Sequence, residues 1–200
     1  MPPLRGHHQL LAISRDELRY ITVYRHPIDV HFSFRKHTAN MKKDIDAPSV
    51  PTDPSESFRQ YLENEDDHAS FFSIIDHYRC TLKHRHRENV LSLHYRDMLR
   101  DLGGTFDQIA THTGLNHPPD IMSKLVEAAT FASMKSNAVR FAPSAGQDFW
   151  RNDAGFFDSA SSNKWEGLLT DSDLAAYDKR ISELLTPSER NWLEWGSVAK

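Results

Sequence analysis

The sequence has little cysteine, no excess of basic residues and no long apolar run. Its single cysteine, Cys80, cannot form an internal disulfide, which favours a reducing, cytoplasmic setting. The formal net charge of −4 disfavours general binding to nucleic acid or to anionic membranes, because such binding usually needs a basic surface. No stretch is long enough to span a bilayer. We therefore expect a cytoplasmic protein without nucleic-acid or membrane partners.

Glycine and metal-ligand patterns are also sparse. The chain has eight glycines, and none lies in a Gly-rich loop with the Lys and Thr that would cradle a phosphate. Its twelve histidines are scattered and not paired at ligand spacing, so we predict no metal site and expect most of them at the surface. An apolar content of 38% over 200 residues is sufficient for one domain with a real core.

The most informative stretch is a strand followed by a turn and a helix. The apolar, β-branched and aromatic run from Tyr20 to Tyr24 predicts a buried strand, and Pro27 suits the first turn of a helix. Arg25 then lies at the carboxyl end of the strand and Ser33 two turns into the helix. Ligands bind at that end of open α/β sheets, and both side chains can bind phosphate oxygens. The pair predicts a phosphate site, with an arginine that caps its own loop as the alternative.

The remaining pattern predicts an α/β fold in which a parallel sheet is flanked by helices. Residues 89–95 form a second short strand with polar residues at its carboxyl end. Residues 134–162 are rich in Ser, Asn, Ala and Gly with interspersed aromatics, which indicates a functional loop. The main helices are predicted at 70–84, 120–129 and 170–185, with a last one that begins at Thr186 and carries a capping box with Glu189.

Three separated blocks, in order, resemble the PAPS-dependent sulfotransferase family. Val23 to Ser33 resembles the family's 3′-phosphate motif, in which an Arg and a Ser stand eight positions apart. Val90 to Met98 is similar to a strand that ends in Tyr-Glu-Asp-Met, and Thr130 to Lys135 to the Ser-Phe-x-x-Met-Lys segment. A weaker fourth block, residues 156–165, resembles Arg-Lys-Gly-x-x-Gly-x-Trp. The family transfers a sulfuryl group from 3′-phosphoadenosine-5′-phosphosulfate (PAPS) to a hydroxyl or amine.

The resemblance implies a P-loop-NTPase-like sulfotransferase fold, PAPS as the donor, no metal, and a small-molecule acceptor that is an alcohol, a phenol or an amine. It places Arg25 and Ser33 on the 3′-phosphate of the donor. It places the following residues around the adenine: Tyr95, Thr130, Phe131 and Met134. The acceptor itself and the oligomeric state are left open.

A general base is implied near the amino terminus. The family has a Lys-[Ser/Thr]-His segment upstream of its first motif, and the matching stretch here is Arg5 to His8. His7 is the better match and His8 the second candidate. A near-neutral imidazole can take the proton from an acceptor hydroxyl as it attacks sulfur. The alternative is a terminal histidine without a catalytic role.

Two departures from the family pattern bear on activity. The family begins with a strand and a phosphate-binding loop, and this chain starts downstream of where they should be. We therefore expect residues 1–200 to form a single, N-terminally truncated domain that lacks the first strand and the loop, with most of the donor affinity and rate lost. Asp158 to Ala160 also replaces a cationic Arg-Lys-Gly, and an aspartate there would repel the 3′-phosphate unless Arg140, Arg151 or Lys164 compensates.

Three functional hypotheses follow. The leading one is a sulfotransferase that uses a PAPS-type donor. The second is a catalytically inactive remnant that binds adenosine 3′,5′-bisphosphate weakly or acts as an interaction module. The third is another nucleotide-handling α/β enzyme, such as a small-molecule kinase. The missing phosphate loop counts against the third hypothesis, which also gives the Arg25 and Ser33 pair no role.

Overall fold

A computed structural model describes residues 16–42, 49–65 and 70–197. Within these ranges the fold combines a small parallel sheet with helices that follow and cover it. The elements, in chain order, are β1 (Tyr20–Tyr24), α1 (Pro27–Asn40), α2 (Pro54–Glu63), α3 (Phe71–His84), β2 (Val90–His94), α4 (Tyr95–Arg100), α5 (Leu102–Thr113), α6 (Pro119–Ala128), α7 (Phe131–Ser136), α8 (Ala138–Phe141), a 3₁₀ turn (Asp153–Phe156), α9 (Asp171–Leu184) and α10 (Pro187–Trp195).

The two predicted strands are confirmed as parallel neighbours. Tyr20 lies opposite Val90 and Tyr24 lies opposite His94, so the carboxyl ends of both strands meet at one edge. In the described ranges the sheet consists of these two strands. β2 ends at His94, one residue earlier than predicted, because the His94 ring accepts a hydrogen bond from the Arg96 backbone and thereby caps α4.

One face of the sheet is packed along both strands, and the other is exposed at β1 but covered at Leu93 of β2. Tyr24 is buried among helices, and its hydroxyl donates to Thr81 Oγ1 at 2.6 Å. On the other face, Ile21 is 40% exposed and Val23 is 53% exposed. This difference follows from the twofold alternation of side chains along a strand.

The hydrophobic core lies on the packed face, among α1, α2, α3, α9 and α10. Aromatic side chains contribute much of its volume, as expected for groups that bury a large apolar area. Its most deeply buried members are Ile28, Phe58, Phe71, Ile75, Ile181 and Leu193. In the described ranges, no helix is long and apolar enough to cross a membrane.

The last two helices begin with side-chain caps, as the sequence predicts. In α9, Thr170 and Asp173 form a capping box, and in α10, Thr186 and Glu189 do the same. Hydrogen bonds from Thr186 lower the pKa of the Glu189 carboxyl. Both helices therefore start at fixed residues and pack against the core in a defined register.

Replacing Thr186 with alanine is expected to lower the free energy of unfolding by about 1 kcal/mol, because the backbone N–H of Glu189 loses its acceptor. Denaturant unfolding followed by circular dichroism measures this change. Thr111→Ala is a matched control, since Thr111 is exposed within α5 and caps no helix. An equal loss in both variants would contradict the capping role.

The stretch predicted as one functional loop is partly helical, and the prediction is wrong for residues 134–141. The Thr130 side chain accepts from the Ser133 backbone and starts α7, and α8 follows directly. Further along, Trp150 is buried and its backbone bridges to Met41 at the end of α1. The stretch is therefore attached to the end of α1. Its irregular part lies mainly after residue 141.

Candidate functional site

Arg25 and Tyr95 meet at the carboxyl edge of the sheet. Arg25 follows β1 and Tyr95 is the first residue after β2, so the parallel pairing brings them together. The Arg25 guanidinium carbon lies 4.5 Å from the centre of the Tyr95 ring. A guanidinium at this distance is attracted by the electron-rich face of the ring. Two residues from separate sequence blocks thus form one contact.

Arg25 also makes polar contacts with its own helix and with a distant segment. Its Nη2 donates to the Ser161 carbonyl at 3.0 Å, and its Nε lies 3.5 Å from Asp29 Oδ2. Nε is buried and has no hydrogen-bond partner among the described residues. Because Ser161 is remote in sequence, Arg25 does more than cap its own loop. Asp29 Oδ2 is also buried without a hydrogen bond among these residues, so Nε and this carboxylate oxygen face one another as an ion pair.

Residues 156–164, called here the covering segment, lie across one face of α1. The Asn163 backbone N–H donates to Asp29 Oδ1 at 2.8 Å, and Asp158 forms an ion pair with Lys36. Ser33 lies between these two anchors, one turn after Asp29 and three residues before Lys36. The segment therefore covers the turn of α1 that carries Ser33.

Ser33 is not bonded to Arg25 in the part of the chain that the structure describes. Its hydroxyl instead lies 3.4 Å from His37 Nε2, a long contact. The His37 ring stacks on Phe156 with 4.6 Å between centroids, and burial lowers the pKa of His37. Arg25 and Ser33 thus share a face of the strand–helix unit without contacting one another.

The third sequence block contacts the covering segment. The Phe131 ring meets Phe157 edge to face, with 6.5 Å between centroids. Lys135 Nζ donates to the Asp158 carbonyl at 2.8 Å. Thr130 caps α7, and Met134 is half-buried one turn later. The covering segment therefore connects this block to α1.

Asp158 is the centre of a lysine cluster. Its carboxylate accepts from Lys164 and from Lys36, the latter at 2.5 Å, and these bonds lower the pKa of Asp158 to about 2. Lys164 is one of the three residues that the sequence suggests could compensate for the aspartate, and it contacts the Asp158 carboxylate directly. Sequence reasoning missed Lys36, although its position three residues after Ser33 places both on one helical face.

The predicted bases, His7 and His8, lie outside the described residues. The described histidines at the strand ends serve as helix caps: His26 Nδ1 accepts from the Ile28 N–H, and His94 Nδ1 accepts from the Arg96 N–H, each at 3.2 Å. Both rings are buried, and burial lowers the pKa of His26 to about 4. Among the described residues no group of His, Cys, Asp and Glu is arranged to hold a metal ion.

A cavity of about 90 Å³ lies beside Arg25, and Tyr95, Ser162 and Trp195 contribute to its walls. Ligand pockets for small molecules usually measure about 300–1,000 Å³. The described groups fit a phosphorylated adenine nucleotide in chemistry, since they combine cations with aromatic rings. The cavity beside Arg25 is smaller than the usual range for such pockets. Two larger clefts, of about 510 and 680 Å³, do not include Arg25 in their walls.

Comparisons with known proteins agree on one family. A family model described as "Sulfotransferase domain" matches residues 6–189. Sulfotransferase 2A6 of Mus musculus is 25% identical over 179 residues, which cover 88% of this chain and 60% of that protein. Amine sulfotransferase of Oryctolagus cuniculus is 29% identical over 125 residues, which cover 62% of this chain and 39% of the relative. The chain thus spans 60% or less of the length of these relatives.

Two solved structures share the fold. A mouse sulfotransferase, SULT7A1, complexed with PAP superposes with a TM-score of 0.66 at 18% identity, covering 86% of this chain and 59% of the other. Retinol dehydratase in complex with androsterone and the inactive cofactor PAP gives a TM-score of 0.67 at 19% identity, covering 86% and 48%. The predicted α/β sulfotransferase architecture is confirmed by these likenesses.

Proposed function

The chain belongs to the sulfotransferase domain family, and from this premise we propose that it binds PAPS at the sheet edge and transfers a sulfuryl group to a small molecule. The contact between Arg25 and Tyr95 carries the proposal. It brings a guanidinium, a group that suits phosphate oxygens, and an aromatic ring together at the end of the sheet where α/β proteins bind ligands.

The chemistry of the neighbouring groups supports a nucleotide ligand. The Arg25 guanidinium has a planar fork of N–H groups, which suits the oxygens of a phosphate. We assign Arg25 and Ser33 to the 3′-phosphate. Four residues are assigned to the adenine: Tyr95, Thr130, Phe131 and Met134. The Thr130 side chain also caps the helix that carries Phe131 and Met134.

The acceptor is proposed to be an alcohol, a phenol or an amine. One relative is an amine sulfotransferase, and one structural neighbour was solved with androsterone. Bound PAPS supplies an activated sulfuryl group: the acceptor atom attacks sulfur as the bond to the bridging phosphate oxygen breaks. We propose that His7 takes the acceptor proton, with His8 as the second candidate.

Titration of the full chain with adenosine 3′,5′-bisphosphate (PAP) tests the donor site. A ligand that binds only the native state stabilises it by about 2.7 kcal/mol at one hundred times its Kd, so the melting temperature should rise with concentration. A melting temperature that does not change at millimolar PAP would contradict the proposed site.

An assay of transfer completes the test. Incubation with PAPS and a panel of one phenol, one alcohol and one amine should yield a sulfated product detectable by mass spectrometry. If PAP raises the melting temperature and none of the panel is sulfated, the chain binds the nucleotide without transfer. That result would overturn the catalytic part of the proposal and leave the binding part standing.

A further inference from the structure

Asp158 brings a negative charge to the helical face that carries Ser33. Lys36 Nζ lies 2.5 Å from its Oδ2, and Lys164 pairs with the same oxygen. The three side chains remain open to solvent to different degrees, with exposed fractions of 52% for Lys36, 41% for Asp158 and 24% for Lys164. The carboxylate therefore engages both ammonium groups without being buried.

The position of this cluster on α1 gives the contact a functional consequence. Lys36 lies three residues after Ser33, so the two share a face of the helix. Lys135 holds the backbone carbonyl of Asp158, which fixes the covering segment from its other side. For a phosphate bound at Ser33, Lys36 and Lys164 would be the neighbouring cations. It would also face the Asp158 carboxylate.

We propose that Asp158 is an internal competitor of the 3′-phosphate, which must displace this carboxylate from Lys36 and Lys164 in order to bind. The inference rests on the proposed nucleotide site and refines its specificity. Carboxylate and phosphate oxygens accept hydrogen bonds from the same ammonium donors, and two like charges cannot share them without repulsion. In the native chain, Asp158 thus reduces the preference for nucleotides that carry a 3′-phosphate.

Asp158 is ionised throughout the neutral range, as an aspartate ordinarily is, and its two lysine bonds lower the pKa of the carboxyl further, to about 2. The competition is therefore permanent near neutral pH. It can be relieved by substitution, and Asp158→Asn keeps the shape of the side chain while removing the charge.

The test is calorimetric titration of PAP and of adenosine 5′-phosphate, which lacks the 3′-phosphate. The measured quantity is the dissociation constant of adenosine 5′-phosphate divided by that of PAP. A higher ratio means a stronger preference for the nucleotide with the 3′-phosphate. Asp158→Asn should raise this ratio by about tenfold, the effect of removing one like charge from a charged contact. Adding Lys36→Met to Asp158→Asn should reverse most of this rise in the ratio. The double variant lacks the Lys36 ammonium that Asp158→Asn makes available to the phosphate.

Asp148→Asn is the matched control. Asp148 pairs with Lys42 and its side chain is 82% exposed, so this variant removes the same charge from a lysine pair elsewhere. An unchanged ratio in Asp158→Asn, or an equal rise in Asp148→Asn, would overturn the inference while PAP binding stands. If neither the native chain nor Asp158→Asn binds PAP, the proposed function fails and the inference fails with it. Asp158→Ser provides a second variant if the asparagine variant does not fold.

Discussion

Replacing Arg25 with alanine is expected to weaken PAP binding by at least about thirtyfold, since truncating one partner of a hydrogen-bonded charge pair costs about 2–5 kcal/mol. The variant loses the guanidinium that lies over Tyr95, and with it the fork of N–H donors proposed to bind the phosphate oxygens. Adenosine 5′-phosphate should lose much less affinity, because the proposed partner of Arg25 is the 3′-phosphate. Calorimetric titration of both nucleotides measures the two changes.

The chain offers a close control for this variant. The Arg180 guanidinium lies 4.6 Å from the centre of the Phe72 ring and near acidic residues, as Arg25 lies near Tyr95 and Asp29. Arg180→Ala should leave PAP binding unchanged. Arg25→Lys, which keeps the charge and loses the fork, should bind with intermediate affinity. PAP affinity that is equal in Arg25→Ala and Arg180→Ala would refute the assignment of Arg25 to the 3′-phosphate.

Acidification from pH 7 to pH 5 is expected to lower the free energy of unfolding by about 4 kcal/mol through two buried histidines. Burial lowers the pKa of His26 to about 4 and that of His31 to about 3. In the unfolded chain both rings titrate near their ordinary pKa of 6.5, so the unfolded state binds more protons below that pH. The contribution is therefore complete above about pH 7 and is lost as the pH falls towards the two folded-state values.

Denaturant unfolding at a series of pH values measures this loss. In a plot of the free energy of unfolding against pH, each of the two histidines should contribute a slope that approaches about 1.4 kcal/mol per pH unit. His31→Gln should lower this slope by about 1.4 kcal/mol per pH unit, the share of one buried histidine, and Thr111→Ala, which replaces an exposed residue without a titratable group, should leave it unchanged. The slope of the native protein is itself a test, even if His31→Gln does not fold. A free energy of unfolding that is constant between pH 5 and pH 7 would refute the buried, neutral state of these rings.

The sequence predicts the parts of the site that depend on local pattern. The apolar run before Arg25 defines β1, and the run before Tyr95 defines β2 to within one residue. Parallel pairing then places both side chains at one edge, which is a general property of such sheets. These two steps place Arg25 and Tyr95 near one another, and the contact of the guanidinium with the ring is seen only in the structure.

The contacts of the covering segment could not be predicted in the same way. Asp158 and Lys36 are 122 residues apart, and their meeting depends on how an irregular segment crosses α1. That segment contains Ala160 and Asn163 with positive φ, a backbone state that no periodic pattern reports. The sequence therefore indicated repulsion of a phosphate by Asp158 but not the lysine pair that holds the carboxylate.

The histidine caps were missed for a different reason. A count of twelve scattered histidines suggests surface positions, whereas His26 and His94 are buried and His31 bonds Ser57 inside the core. A neutral imidazole is a small aromatic ring with one acceptor nitrogen, so it can cap a helix from within the core. Only the three-dimensional arrangement distinguishes such a ring from a free base.

The parallel pairing of β1 with β2 also has a kinetic consequence. Partners such as Thr22 and Ser92 are 70 residues apart, and closing a loop of this length costs about 4 kcal/mol of chain entropy before any ladder hydrogen bond forms. The intervening α2 and α3 need only short-range contacts and can form first. The sheet edge that carries Arg25 and Tyr95 is therefore expected to assemble late during refolding, after the helices that support it.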